Sequence, residues 1–131
     1  MPPRISRFYD RALQPSGLKI TRFSLLSVVR ELGPVSISGL ADALALERTS
    51  LTRNLRPLEK KGLIDVAPEG YRRARMVAIT DEGQAVWDEA LILWQQAQRT
   101  IDEHLGTDRA AQLRGLLQDL TALAGADEHA A

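Results

Sequence analysis

The chain contains no cysteine among its 131 residues. That absence removes disulfides, thiolate metal sites, cysteine nucleophiles and thiol redox sensing together. Aromatic residues make up only 5%. Histidine occurs twice, at His104 and His129, which leaves little for imidazole-based catalysis or metal capture. No apolar run approaches the roughly 18–20 residues that a membrane span needs, and the opening MPPRISRFYD lacks the apolar stretch of a secretory signal. The expectation is a cytoplasmic protein with no membrane role. Lysine is scarce too: 3 of the 17 basic residues are Lys and 14 are Arg.

What is present is an ordinary globular composition, with 44% hydrophobic and 26% charged residues. This excludes wholesale disorder and suits one domain spanning 1–131. The formal net charge is zero, yet the charges are segregated. Residues 1–30 carry +5, residues 31–47 carry −3, residues 48–75 carry +5 and residues 76–131 carry −7. A polyanion would be drawn to one face and not to the whole chain. Arginine supplies a planar forked donor suited to phosphates and guanine edges. A genome that favours Arg codons would explain the Arg:Lys ratio equally well, but not the clustering.

The periodicity predicts a mainly α protein with one small β-hairpin. A first helix is expected over Arg4 to Leu13, ended by Pro15-Ser16-Gly17, and a second over Thr21 to Glu31, with Thr21 as N-cap and Gly33-Pro34 as the stop. Val35-Ser36-Ile37 reads as no more than a strand fragment. Ser36 or Ser38 caps a third helix ending near Leu44, and a fourth runs from Glu47 or Arg48 to about Lys61, with Gly62 following it. Leu63–Val66 and Met76–Ile79 read as strands joined by a turn rich in Pro, Gly and Arg. Thr80 caps a long helix opened by Asp81 and Glu82 and reaching about Leu105, roughly 37 Å at 1.5 Å per residue. Thr107 then caps a last helix carrying Leu113, Leu116, Leu117, Leu120 and Leu123, with a frayed tail from Gly125.

Residues 36–61 show helix-turn-helix patterning. Leu40, Leu44, Leu46, Leu51 and Leu55 can share one core across a tight turn, and Ala41 is small where the second helix must pass. On that second helix Leu51, Leu55 and Leu58 fall within about 60° of one another at 100° per residue. Thr49, Thr52, Arg53, Arg56 and Lys60 occupy the opposite side without an acid among them. Short hydroxyls near a helix N-terminus, with arginines further along, suit a DNA major groove. A solvent-exposed basic face without a ligand is the plainer reading of that helix alone. The hairpin that follows carries Arg72, Arg73 and Arg75. Adjacent arginines at a loop tip suit the negative potential of a minor groove; pairing with the acids at 81–89 is the structural alternative. Pro57 cannot donate to the Arg53 carbonyl, so a kink or loosened turn is expected near 53–57.

The segments GLKITRFSLLSVVRELGPVSISGLADAL, LERTSLTRNLRPLEKKGLI and YRRARMVAITDEG resemble, in order and spacing, the MarR family (multiple antibiotic resistance regulators). The resemblance covers residues 17–83, about half of the chain. Arg72-Arg73 and Ile79-Thr80-Asp81-Glu82-Gly83 match the family's wing tip and following motif, which makes Arg73 the implied minor-groove arginine. Three features depart. Tyr71 stands where the family usually has Asp, so a carboxylate that would orient an arginine is missing; the hairpin is short; and Glu47 replaces a shorter capping acid.

The resemblance implies a winged helix-turn-helix over 21–82, flanked by a helical dimerisation region over 1–16 and 84–125. It implies a homodimer that binds double-stranded DNA at a pseudo-palindromic operator, as a repressor of transcription released by a small aromatic or amphipathic effector. Unmatched apolar faces on the terminal helices (Ile5, Phe8, Tyr9 and Leu13 at one end, Leu113 to Leu123 at the other) point to the same dimer. The DNA-contact candidates are Arg48, Thr49, Ser50, Thr52, Arg53, Arg56, Arg72, Arg73 and Arg75. The implied effector cleft has Phe8, Arg11, Phe23, Ser27, Trp87 and Leu91 as candidate walls, although Phe23 reads better as core and Trp87 serves equally as core. No phosphate-binding glycine loop and no nucleophile–base pair is visible, so neither an enzyme nor a cofactor is expected. Asp102, Glu103 and His104 are too close in sequence to form a specific metal cage. The competing reading is a winged helix used for protein–protein contacts without DNA.

Overall fold

In a computed structural model, residues 3–67, 75–109 and 111–116 are described. The elements in order are α1 (Pro3–Leu13), a 3₁₀ turn (Gln14–Ser16), α2 (Ile20–Leu32), β1 (Val35–Ser36), α3 (Ile37–Leu44), α4 (Arg48–Lys60), β2 (Ile64–Val66), β3 (Met76–Ile79) and α5 (Asp81–Leu105). No described helix is long and apolar enough to cross a membrane. The chain divides into two compact units, Met1–Trp94 and Gln95–Ala131.

The first unit is built on most of the expected leucines; Leu44 is half-buried, and Leu46, expected in the same core, is exposed because it sits in the tight turn between α3 and α4. Leu40 of α3 and Leu51, Leu55 and Leu58 of α4 are buried together with Leu13, Leu26, Val29, Ile64 and Val77. The stripe on α4 thus anchors the helix and turns its basic side outward. Ser36 caps α3, its Oγ accepting the Gly39 N–H at 2.9 Å. A three-residue turn separates α3 from α4, with Ala45 at φ +54° and the Leu46 N–H donating to the Ala41 carbonyl at 2.9 Å. Left-handed geometry at a residue bearing a β-carbon is costly, and the tight turn imposes it here.

One cap differs from expectation, the expected strand fragment finds a partner, and α4 runs on through its proline. Thr21 does not cap α2. The residue before that helix is Lys19, without a side-chain cap, and Asp10 of α1 accepts the Ile20 N–H at 2.8 Å instead. A carboxylate ten residues upstream therefore serves the first turn. Val35-Ser36 is a true edge strand: it pairs antiparallel with β3, making a three-stranded sheet in the order β1-β3-β2. The helix α4 is continuous through Pro57. The proline lies half-buried one turn from the helix end and cannot donate to the Arg53 carbonyl. Beyond it, the Lys61 N–H reaches the Pro57 carbonyl at 3.2 Å and the Leu63 N–H the Leu58 carbonyl at 3.0 Å.

The end of α4 is fastened to the start of α5. Gly62 takes φ +74°, and its carbonyl accepts the Thr80 hydroxyl at 2.6 Å. Thr80 Oγ1 in turn accepts the Gly83 N–H at 2.9 Å, which is the expected cap. The Thr80 N–H donates to the Leu63 carbonyl at 3.1 Å.

In the second unit, α5 ends at Leu105 and Gly106 reverses the chain at φ +81°. Residues 107–109 and 111–116 are helical, and Arg114 pairs with Asp102 at 2.8 Å. Leu113 and Leu116 are exposed; Leu117, Leu120 and Leu123 lie outside the described residues.

Candidate nucleic-acid interface

The outer side of α4 forms one wall of an open concavity of about 490 Å³, lined by Ile37, Arg48, Thr49, Thr52, Arg53, Arg56 and Arg75. Six of these seven are polar, and four are arginines. Arg48, Thr49, Arg53 and Arg56 are exposed, and Thr52 and Arg75 half-buried. Among the described residues no carboxylate pairs with Arg48, Arg53 or Arg56. Arg48, Arg53 and Arg56 thus gather like charge without a carboxylate partner among the described residues, an arrangement that favours an external anion.

Local bonding decides which candidates are free to reach a ligand. The Thr52 hydroxyl already donates to the Arg48 carbonyl at 2.8 Å, so as placed its proton is committed to the helix. Ser50 is half-buried and does not line the concavity. Lys60 is exposed on the same side of α4 as Arg53. Glu59 lies in an adjoining hollow with Arg56 and Arg75, so the basic surface has one acidic border.

Arg75 reaches α4 through the sheet. It precedes β3, its carbonyl accepts the Ile37 N–H at 2.9 Å, and its Nε donates to the Ala67 carbonyl at 2.9 Å. The Ala67 N–H closes the ladder on the Met76 carbonyl at 2.9 Å. The edge strand β1 and the first residue of α3 thereby hold the start of β3 beside α4. Ile37, part of the floor, was not among the sequence candidates, and a two-residue strand leaves almost no local signal to find it. Arg72 and Arg73 lie outside the described residues.

The implied effector walls are brought together in part. Phe23 is buried and stacks on Trp87, with ring centres 6.2 Å apart. The Trp87 indole N–H donates to Ser27 Oγ at 2.8 Å, and Ser27 donates to the Phe23 carbonyl at 2.8 Å. The Arg30 guanidinium lies over the indole, 3.9 Å from the ring centre. These side chains fill the space between α2 and α5 with one another, and Leu91 packs partly buried against the same core. Phe8 is exposed and meets Tyr9 edge-on at 5.5 Å. Arg11 is exposed on α1. Asp10, an obvious partner for it, is occupied by the start of α2. No cluster of His, Cys, Asp or Glu suited to a metal exists among the described residues.

A sequence profile of the MarR family matches residues 18–69. The solved M. tuberculosis transcriptional regulator MosR in complex with DNA is 33% identical, with a TM-score of 0.75 over 94% of this chain and 89% of that one. The chain belongs to the MarR family. It is similar along most of its length to the regulator PecS of Dickeya dadantii, 29% identical over 117 residues that cover 86% of this chain and 70% of that protein. It is also similar to the homoprotocatechuate degradative operon repressor of Escherichia coli, 26% identical over 117 residues covering 88% and 79%. The architecture is thus the MarR winged helix, and the protein is a transcriptional regulator rather than an enzyme. In MarR terms α3 and α4 are the helix-turn-helix, and β2 and β3 the stem of the wing.

Proposed function

We propose that this MarR-family regulator binds double-stranded DNA sequence-specifically through α4 and the wing, as a homodimer that represses transcription at a pseudo-palindromic operator. The observation that carries the reading is the set of four arginines around one concavity, three of them without a carboxylate partner among the described residues. Arg53 and Arg56 project from the middle of α4, where a helix lying in the major groove meets base edges, and Arg48 and Thr49 sit at its start, where phosphates lie. Arg72 and Arg73 complete the interface from the wing tip in this reading.

The dimer reading is supported by apolar side chains left in solvent on α1 and in the second unit: Ile5, Phe8, Leu113 and Leu116. Helical regions 1–16 and 84–125 supply the contacts, and 21–82 the DNA-binding part. Repression is supported by the likeness to an operon repressor. An effector that favours a subunit arrangement unsuited to DNA releases it, by an amount set by its differential affinity.

Selection of bound duplexes from a random-sequence library tests the reading. The expected result is an enriched two-fold motif with half-sites about 10–10.5 bp apart, and a dimer in sedimentation at micromolar concentration. Absence of any enriched motif, with binding indifferent to salt, would favour a protein-contact module instead.

A further inference from the structure

Arg75 differs from the other arginines of the basic concavity. Arg48, Arg53 and Arg56 are exposed on α4, whereas Arg75 is half-buried and borders two hollows at once. Alternation along an extended chain puts it on the same side of the ribbon as Val77, which is fully buried. The second hollow, of about 390 Å³, is lined by Thr52, Leu55, Arg56 and Glu59 of α4, by Ile37 and by Val66 of β2. Arg75 therefore lies between the helix and the stem of the wing.

Its bonds are directed at that stem. The Nε donates to the Ala67 carbonyl at 2.9 Å, and the Ala67 N–H donates to the Met76 carbonyl at 2.9 Å. Ala67 and Arg75 flank residues 68–74 in the chain, so one side chain joins the residue before that segment to the residue after it. The Arg75 backbone is held as well, its carbonyl accepting the N–H of Ile37, the first residue of α3, at 2.9 Å. A fourth cation beside Arg48, Arg53 and Arg56 is repelled by them. A charge-assisted bond to the half-buried Ala67 carbonyl offsets that repulsion.

We infer that Arg75 is a positioning residue: it clamps the two ends of segment 68–74, so that Arg72 and Arg73 stand at a set place relative to α4, and it does not itself contact DNA. The inference rests on the proposed DNA reading and sharpens it. A duplex gripped by α4 and the wing together needs a fixed spacing between them, and contacts from Arg72 or Arg73 gain affinity when their base is placed before binding.

Two substitutions separate a clamp from a contact. Gln carries its amide nitrogen as many bonds from Cα as Arg carries Nε, so Arg75→Gln keeps a donor for the Ala67 carbonyl and discards the charge. Arg75→Met is of similar length and has no donor. Amide exchange at Ala67, followed by NMR on the full-length protein without DNA, is expected to be about fivefold faster in Arg75→Met and close to the parent's in Arg75→Gln. Anisotropy with the duplex enriched by selection, at fixed salt, is expected to show Arg75→Met about tenfold weaker and Arg75→Gln within about threefold of the parent. In an Arg72→Ala, Arg73→Ala background, Arg75→Met should cost less than about twofold, because the side chains it positions are already gone. Equal losses in Arg75→Gln and Arg75→Met, with a shallower salt dependence, would make Arg75 a phosphate contact and overturn the inference. An undiminished loss in the background without wing arginines, or Ala67 exchange unaltered by Arg75→Met, would overturn it too. If Arg75→Met does not fold, Arg75→Gln decides alone: affinity near the parent's upholds the clamp, and a tenfold loss with a shallower salt dependence ends it. Failure of the selection to enrich any duplex would count against the DNA reading instead, and exchange at Ala67 would still decide the clamp.

Discussion

Gly83 in the first turn of α5 rests directly on the carbonyl oxygen of Leu63, with no room between them for a β-carbon. The same carbonyl accepts the Thr80 N–H at 3.1 Å, so the backbone leaving α4 and the backbone entering α5 meet at one oxygen. Gly83→Ala should therefore cost about 2–3 kcal/mol, the range for an overpacked site whose neighbour is backbone and cannot yield. Urea unfolding at fixed protein concentration measures this; a loss below about 0.5 kcal/mol would mean that the contact opens without penalty.

Asp10 is expected to act on α2 although it belongs to α1. Asp10→Ala leaves the Ile20 N–H at the start of α2 without its acceptor and should destabilise by about 1 kcal/mol, as loss of an N-cap does. Asp10→Asn keeps an acceptor oxygen and should recover most of that stability. If the two variants unfold at the same denaturant concentration, the bond seen at 2.8 Å contributes nothing.

The Ser27–Trp87 bond lends itself to a double-mutant cycle. Ser27→Ala strands the indole N–H and should cost about 1 kcal/mol, whereas in a Trp87→Phe background the same change should cost close to nothing. The Arg30 guanidinium 3.9 Å from the indole centre stays in place in this cycle. A coupling energy of zero would show that the hydroxyl and the indole act independently.

On the proposed DNA surface, Arg53→Ala and Arg56→Ala should each weaken binding to the selected duplex by about 1–3 kcal/mol where the side chain meets a base. A variant that instead loses affinity uniformly across sequences, with a shallower salt dependence, identifies a phosphate contact. Fluorescence anisotropy at several salt concentrations separates the two. Parent-like binding by both variants would remove α4 from the interface.

Much of the fold was legible because its signals are local. The leucine period of α4, the Ser36 and Thr80 caps and Gly62 after Lys61 each act within a turn or two of chain, so they read directly as elements. The cap of α2 was misread for the opposite reason: Thr21 is of a suitable type nearby, but the acceptor arrives from another helix. Pro57 looked disruptive by its chemistry, yet α4 continues through it to Lys60, the proline lying one turn from the helix end. In the candidate site, the arginine face of α4 followed from periodicity, whereas the placing of Arg75 and Ile37 beside it depended on a two-residue strand pairing across forty positions.

The order of amino acids by itself determined the helix-turn-helix, the side of α4 that faces outward and the arginine character of that side, because backbone periodicity and capping need only neighbouring residues. The tertiary structure alone decided that Phe23, Ser27, Arg30 and Trp87 close on one another and that Thr52 spends its hydroxyl on its own helix. Those outcomes depend on which side chains from distant segments arrive at the same place, and packing, unlike periodicity, is settled only when all the segments are present.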